Sequence, residues 1–229
     1  MSARQLTVTF DARDPARLAR FWADLLDRKI VEDALVPGDE AQVSLRFVPG
    51  PARSATPTRS IHLHLTSEAA GDLRAVVDKA LGLGAGHLDV GQLPEEPHVV
   101  LADPEGNAFC VIPPDNNFLA GCGFLGEVAC DGPRAVGQFW SAATGWPLVW
   151  DEHEETAIQS PHGGTKVAWG GPPVTPKRGT NRQRFTLAVP AGDLAAEVDR
   201  LVALGATVID ADAILLADPD GNEFHLTAT

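Results

Sequence analysis

Apolar and polar residues alternate at the start of the chain. In LTVTF, Leu6, Val8 and Phe10 take one side and Thr7 and Thr9 the other, the period of a half-buried strand. The period then changes. In DPARLARFWADLL (Asp14–Leu26), Leu18, Phe21, Trp22, Leu25 and Leu26 keep the 3,4 spacing of one helical stripe. Asp14 is placed to cap this helix and Pro15 to open it. VSLRFV alternates again, a Pro/Ser/Thr-rich connection (Pro49–Ser60) follows, and IHLHL alternates after it. AAGDLRAVVDKALGLGAG predicts a second helix ended by glycine. HVVLA, the turn ADPEG and FCVI predict closing strands.

The same order then recurs through GEVAC, RAVGQFWSAATG, TKVAWG, RFTLAV, DLAAEVDRLVALGA, AILLA and EFHLT. Phe21-Trp22 falls on Phe139-Trp140, and VVDKALGLGA on EVDRLVALGA. LADPEGNAFC (Leu101–Cys110) matches LADPDGNEFH (Leu216–His225) at seven of ten places. The chain is therefore a tandem duplication, with domains at 1–119 and 120–229 joined around PPDNNFLAGCG. Each half divides again into two strand–helix–strands modules, four in all. The repeated turn is mainly architectural: Asp opens it, Pro presets its second position, and Gly106 and Gly221 take the position other residues avoid.

Composition narrows the function. The 229 residues are 44% apolar, enough for a real core, and the net charge is −13. Nucleic acid or an anionic membrane surface would call for clustered Lys and Arg, which this balance excludes. No apolar run nears the ~18 residues of a membrane span, and the N-terminus lacks the core of a signal peptide. The expectation is a soluble cytoplasmic protein. Cys110, Cys122 and Cys130 make neither a disulfide framework nor a CxxC metal site.

The polar strand faces carry the candidate chemistry. If each half curls its sheet around a cup, the first cup holds Thr7, Thr9, Ser44, Arg46, His62, His64 and Cys110. The second holds Glu127, Lys166, Arg184, Thr186, Glu223 and His225. Several strands thus aim titratable groups to one side.

The four βαβββ modules, the FW-bearing helices, the PKRGTNR connection (Pro176–Arg182) and the LADPEGN and LADPDGN turns resemble the vicinal-oxygen-chelate superfamily. That group is also called glyoxalase/bleomycin-resistance/dioxygenase. The nearest flavour is the glyoxalase-like domains common as tandem copies in actinobacteria. The resemblance implies an α+β fold of two tandem glyoxalase-like domains. In each, a pair of βαβββ modules forms a curled mixed sheet around a cup, with helices outside.

Many members of that superfamily hold a divalent metal (Zn, Ni, Mn or Fe) in the cup. By resemblance, the ligand positions fall near Thr7 and Leu125, on His62 and Arg184, on Cys110 and His225, and on Arg46 or Val48 and Ala168 or Gly170. His62 and Cys110 are the metal candidates that remain in the first half and His225 alone remains in the second, and neither half keeps the set of His, Gln and Glu that metal-using members carry. Arg46 and Arg184 would repel a cation beside them.

Two classes of function stay open. One is a metal-free protein that binds or sequesters a small hydrophobic or aromatic compound, with Thr7, Thr9, Arg46, His62, His64, Cys110, Glu127 and Arg184 as contacts. The other is an enzyme: a metal-dependent lyase, isomerase or dioxygenase, or an acid–base catalyst using His225 and Glu223. Trp146, Trp150 and Trp169 offer stacking surface, with Trp169 also matching the core residue Phe47. Monomer and homodimer are both compatible with the repeats, and module exchange across a dimer is an alternative to closure within each half.

Overall fold

A computed structural model of the chain describes residues 4–50, 61–93, 95–174 and 176–229. Most of the Pro49–Ser60 connection, residues 51–60, lies outside the described residues.

The predicted elements form in the predicted order. The first module is β1 (Leu6–Ala12), α1 (Pro15–Leu26), β2 (Leu35–Val36) and β3 (Ser44–Pro49). The second is β4 (Ile61–Thr66), α2 (Ala70–Gly82), β5 (Gly86–His87), β6 (Val99–Ala102) and β7 (Ala108–Ile112). The third is β8 (Leu125–Cys130), α3 (Arg134–Thr144), β9 (Leu148–Glu152), β10 (Glu155–Ser160) and β11 (Gly163–Trp169). The fourth is β12 (Gln183–Val189), α4 (Leu194–Ala203), β13 (Thr207–Asp210), β14 (Leu215–Ala217) and β15 (Glu223–Ala228).

The local signals act as their chemistry requires. Asp14 accepts from the backbone N–H of Arg17 at 3.0 Å, capping α1 behind Pro15. The α1 stripe is buried, with Leu18, Trp22 and Leu25 at zero exposure. It packs on the apolar faces of the strands, where Leu6, Val8, Phe10, Leu45 and Phe47 are all buried.

The pairing of modules differs from the expectation that each half closes its own cup. The first sheet runs β13-β14-β15-β12-β1-β3-β2 and so joins the first module to the fourth. The second runs β5-β6-β7-β4-β8-β11-β10-β9 and joins the second to the third. The joints are antiparallel, β1 on β12 and β4 on β8. The remaining pairings mix parallel and antiparallel strands. All four modules therefore find partners inside one chain, and a single chain closes both cups. The grouping of polar residues by half is corrected accordingly.

Each half is tied within itself by another device. Trp22 in the first module donates its indole N–H to Asp103 Oδ2 in the second, at 3.1 Å. Trp140 does the same to Asp218 Oδ2 at 3.3 Å. Each aspartate opens one of the repeated turns. Asp103 also accepts from the backbone N–H groups of Glu105 and Asn107 and from the Asn107 amide. Gly106 and Gly221 sit at φ +82°, as the turn demands. Burial raises both carboxyls despite these donors. Within each half the helix and the turn are thus clasped, while the sheets cross between halves.

Candidate functional site

Strand register places four side chains in one row across each cup. In the second sheet, Cys110 faces His64, His64 faces Glu127, and Glu127 faces Lys166 on neighbouring strands β7, β4, β8 and β11. The equivalent row of the first sheet is His225, Thr186, Thr7 and Ser44. The next row toward the start of β4 and β12 also has matching members. The first sheet has Arg184, Thr9 and Arg46 there. The second has His62, Ala129 and Ala168.

These substitutions decide where space lies. In the first cup the Arg184 guanidinium is bonded to Asp11 Oδ1 at 2.8 Å. Thr9 and Thr186 bond to each other at 3.0 Å, and Ser44 accepts from the backbone N–H of Gly38 at 3.0 Å. In the second cup the alanines leave a cleft of about 530 Å³, lined among others by His62, His64, Phe118, Glu127, Trp150 and Ala168. That volume suits a small molecule.

The linker between the halves forms one wall of this cleft. A short 3-10 turn at Asn117–Leu119 carries Phe118 over the strands. Lys166 donates to the Phe118 carbonyl, and its ammonium stands 4.1 Å from the centre of the Phe118 ring. The Phe118 ring meets Trp150 edge-on at 5.8 Å. Beneath the linker, Val100, Cys110, Ile112, Leu119 and Cys122 form a small apolar cluster of their own.

The row in the second cup is charged. His64 Nδ1 lies 2.6 Å from Glu127 Oε2. Burial works against charge on this imidazole, but hydrogen bonds with Cys110 and Glu127 raise it to about 10. His62 moves the other way, lowered by burial and by its neighbour His64. In the first cup, burial and Arg184 lower His225.

The sequence candidates separate as follows. His64, Cys110 and Glu127 come together, and His62 lines the same cleft one row away, in register with Ala129. Thr7, Thr9, Arg46 and Arg184 belong to the other sheet. Glu223 and His225 share a strand face there, but Glu223 is held by Lys177 at 2.7 Å and by the Asn181 backbone N–H at 3.1 Å. Both partners come from the PKRGTNR connection. Arg184 pairs with Asp11. Two features were not singled out by pattern, Phe118 as a wall and Ala129 as floor, whereas Lys166 was named from its strand face and proves to end the charged row. The register of β8 against β4 and β11 shows Ala129, and the contacts of the linker turn with Lys166 and Trp150 show Phe118.

The donors in neither row fit a divalent cation. In the second cup Lys166 adds a positive charge to the row, and His64 and Glu127 are bonded to each other. In the first, hydroxyls and one imidazole stand beside Arg184 and Arg46. Among the described residues no group of three or more His, Cys, Asp or Glu side chains is arranged to hold a metal.

Comparison with known proteins places this geometry. A family model for the glyoxalase-like domain matches residues 7–112 and 127–227. The chain belongs to that family. Among solved structures it is similar to glyoxalase I from Zea mays, at TM-score 0.63 and 13% identity, covering 99% of this chain and 92% of that one. It is also similar to a putative dioxygenase from Bacillus subtilis, at TM-score 0.58 and 12% identity, covering 99% and 86%. At such identities the likeness concerns the fold. No curated protein sequence matches the chain. No helix among the described residues is long and apolar enough to cross a membrane.

Proposed function

We propose that this protein binds a small aromatic compound in the cup between its second and third modules, and that it does so without a metal. It would then be a sequestration or resistance type of the glyoxalase/bleomycin-resistance/dioxygenase superfamily. The observation that carries this reading is the floor of that cup. Ala129 and Ala168 stand where the other cup has Thr9 and Arg46, and His62 where it has Arg184. Phe118 and the half-exposed Trp150 supply a stacking wall. The ion pair of His64 and Glu127 supplies polar contacts that fix orientation.

The test is a screen of aromatic natural products by tryptophan fluorescence, in wild type and in Trp150→Phe. Saturable quenching that Trp150→Phe weakens supports the reading. Quenching equal in both proteins overturns it. The metal-free part is tested on untagged protein by elemental mass spectrometry, before and after incubation with Zn, Ni, Mn and Fe(II). Near-stoichiometric metal lost on changing His62 or His64 to Ala would transfer the cup to a metal-dependent lyase or dioxygenase.

A further inference from the structure

The geometry points to Cys110 as a nucleophilic thiol, with His64 as its proton carrier and Glu127 as the group that orients His64, able to form a covalent adduct with a small α,β-unsaturated carbonyl compound. Three adjacent strands deliver these side chains in one row, Cys110 on β7, His64 on β4 and Glu127 on β8. The imidazole is hydrogen-bonded to Glu127, with Oε2 at 2.6 Å from Nδ1, and stands opposite Cys110 on the neighbouring strand. A nucleophile beside an imidazole that a carboxylate holds in place is the arrangement that activates thiols in general. The equivalent row of the first cup, His225, Thr186 and Thr7, has no thiol.

The other two cysteines lack this arrangement. Cys122 bonds through sulfur to the Gln159 amide, and burial raises its thiol. Cys130 is pushed well up by burial and by the carboxylates of Glu127, Asp131 and Asp218. Cys110 is 9% exposed and packs with Leu119 under the linker, so only a compact electrophile reaches it.

The step balances without an oxidant. Cys110 Sγ adds to the terminal alkene carbon, and the alkene electron pair moves to the carbon next to the carbonyl. That carbon takes the proton passed from the thiol through His64, and nothing leaves.

The probe is acrylamide, applied to the intact native protein, with adducts at each cysteine followed by peptide mass spectrometry. Cys110 should be modified at least about tenfold faster than Cys122 and Cys130. His64→Gln should slow Cys110 by about tenfold or more, and Glu127→Gln by less, with the other two rates unchanged. In denaturant all three should react alike. The assignment is overturned if native Cys110 reacts no faster than the other two, or if His64→Gln leaves its rate unchanged. The wild-type ranking alone suffices should the variants misfold, and it holds whatever ligand the cleft takes.

Discussion

The two cups are built on the same register and have become different objects. At four equivalent positions one has Ser44, Thr7, Thr186 and His225, and the other has Lys166, Glu127, His64 and Cys110. One row further, the first cup carries arginines on either side of Thr9 and the second carries alanines. The first cup uses its polar groups on itself, through Arg184 to Asp11 and Thr9 to Thr186. The second keeps a cleft and a charged row beside it. Duplication supplied two scaffolds. Under the proposed function the side chains of one serve stability and those of the other meet a ligand.

The comparison can be broken most sharply at the floor. Ala168→Trp should abolish binding in the second cup, a loss of about a hundredfold or more in affinity, because overpacking a site costs on the order of 1–3 kcal/mol before any ligand contact is lost. Titration of any hit from the fluorescence screen checks this, and undiminished affinity would place the ligand elsewhere. Arg184→Ala should act in the opposite sense. It strands the Asp11 carboxylate and should cost roughly 1–3 kcal/mol of stability in urea denaturation, while leaving affinity in the second cup intact. A protein of unchanged stability and lost affinity would reverse the roles assigned to the two cups.

A finer test uses the paired clasps. Trp22→Phe removes one donor from the buried Asp103 carboxylate and should cost about 1–2 kcal/mol. Trp140→Phe should cost less, since its bond to Asp218 is longer, 3.3 against 3.1 Å. Thermal denaturation of both variants measures the difference, and equal losses would say that the two clasps are equivalent.

The smallest effect is a pH slope. His64 is raised in the folded chain from 6.5 to about 10, so its protonated form favours folding. That contribution is complete below about pH 6.5 and is lost as pH rises through 10. Wild type should therefore lose stability across this window relative to His64→Gln. Parallel curves for the two proteins would remove the charged row from the energetics of the cup.

Much of the fold was legible because its signals are local. The alternation of LTVTF, the stripe of Leu18, Phe21, Trp22 and Leu25, and the Asp-Pro turns each depend on residues a few places apart. The polar faces were legible for the same reason, and His62, His64, Cys110 and Glu127 were all named from them. Their grouping was not. Nothing in IHLHL states whether β4 lies beside the first strand of its own half or beside β8 of the next. Two antiparallel joints, β1 to β12 and β4 to β8, settle it, and their energies are spread over long-range contacts. Phe118 was hidden for a related reason: a residue in a Pro/Asn/Gly-rich linker has no periodic pattern to mark it as a wall.

The amino-acid sequence by itself determined the four modules, their elements and which face of each strand is polar. Period, capping and turn chemistry act over one or two turns of chain and do not wait for tertiary structure. Only the tertiary structure decided that modules pair first with fourth and second with third. With that choice it also decided that Glu127 meets His64, and shares a row with Cys110, rather than standing with Arg184 and His225. Strand pairing joins residues 63 or 177 positions apart, and the free energy that selects among such pairings belongs to the packed core as a whole.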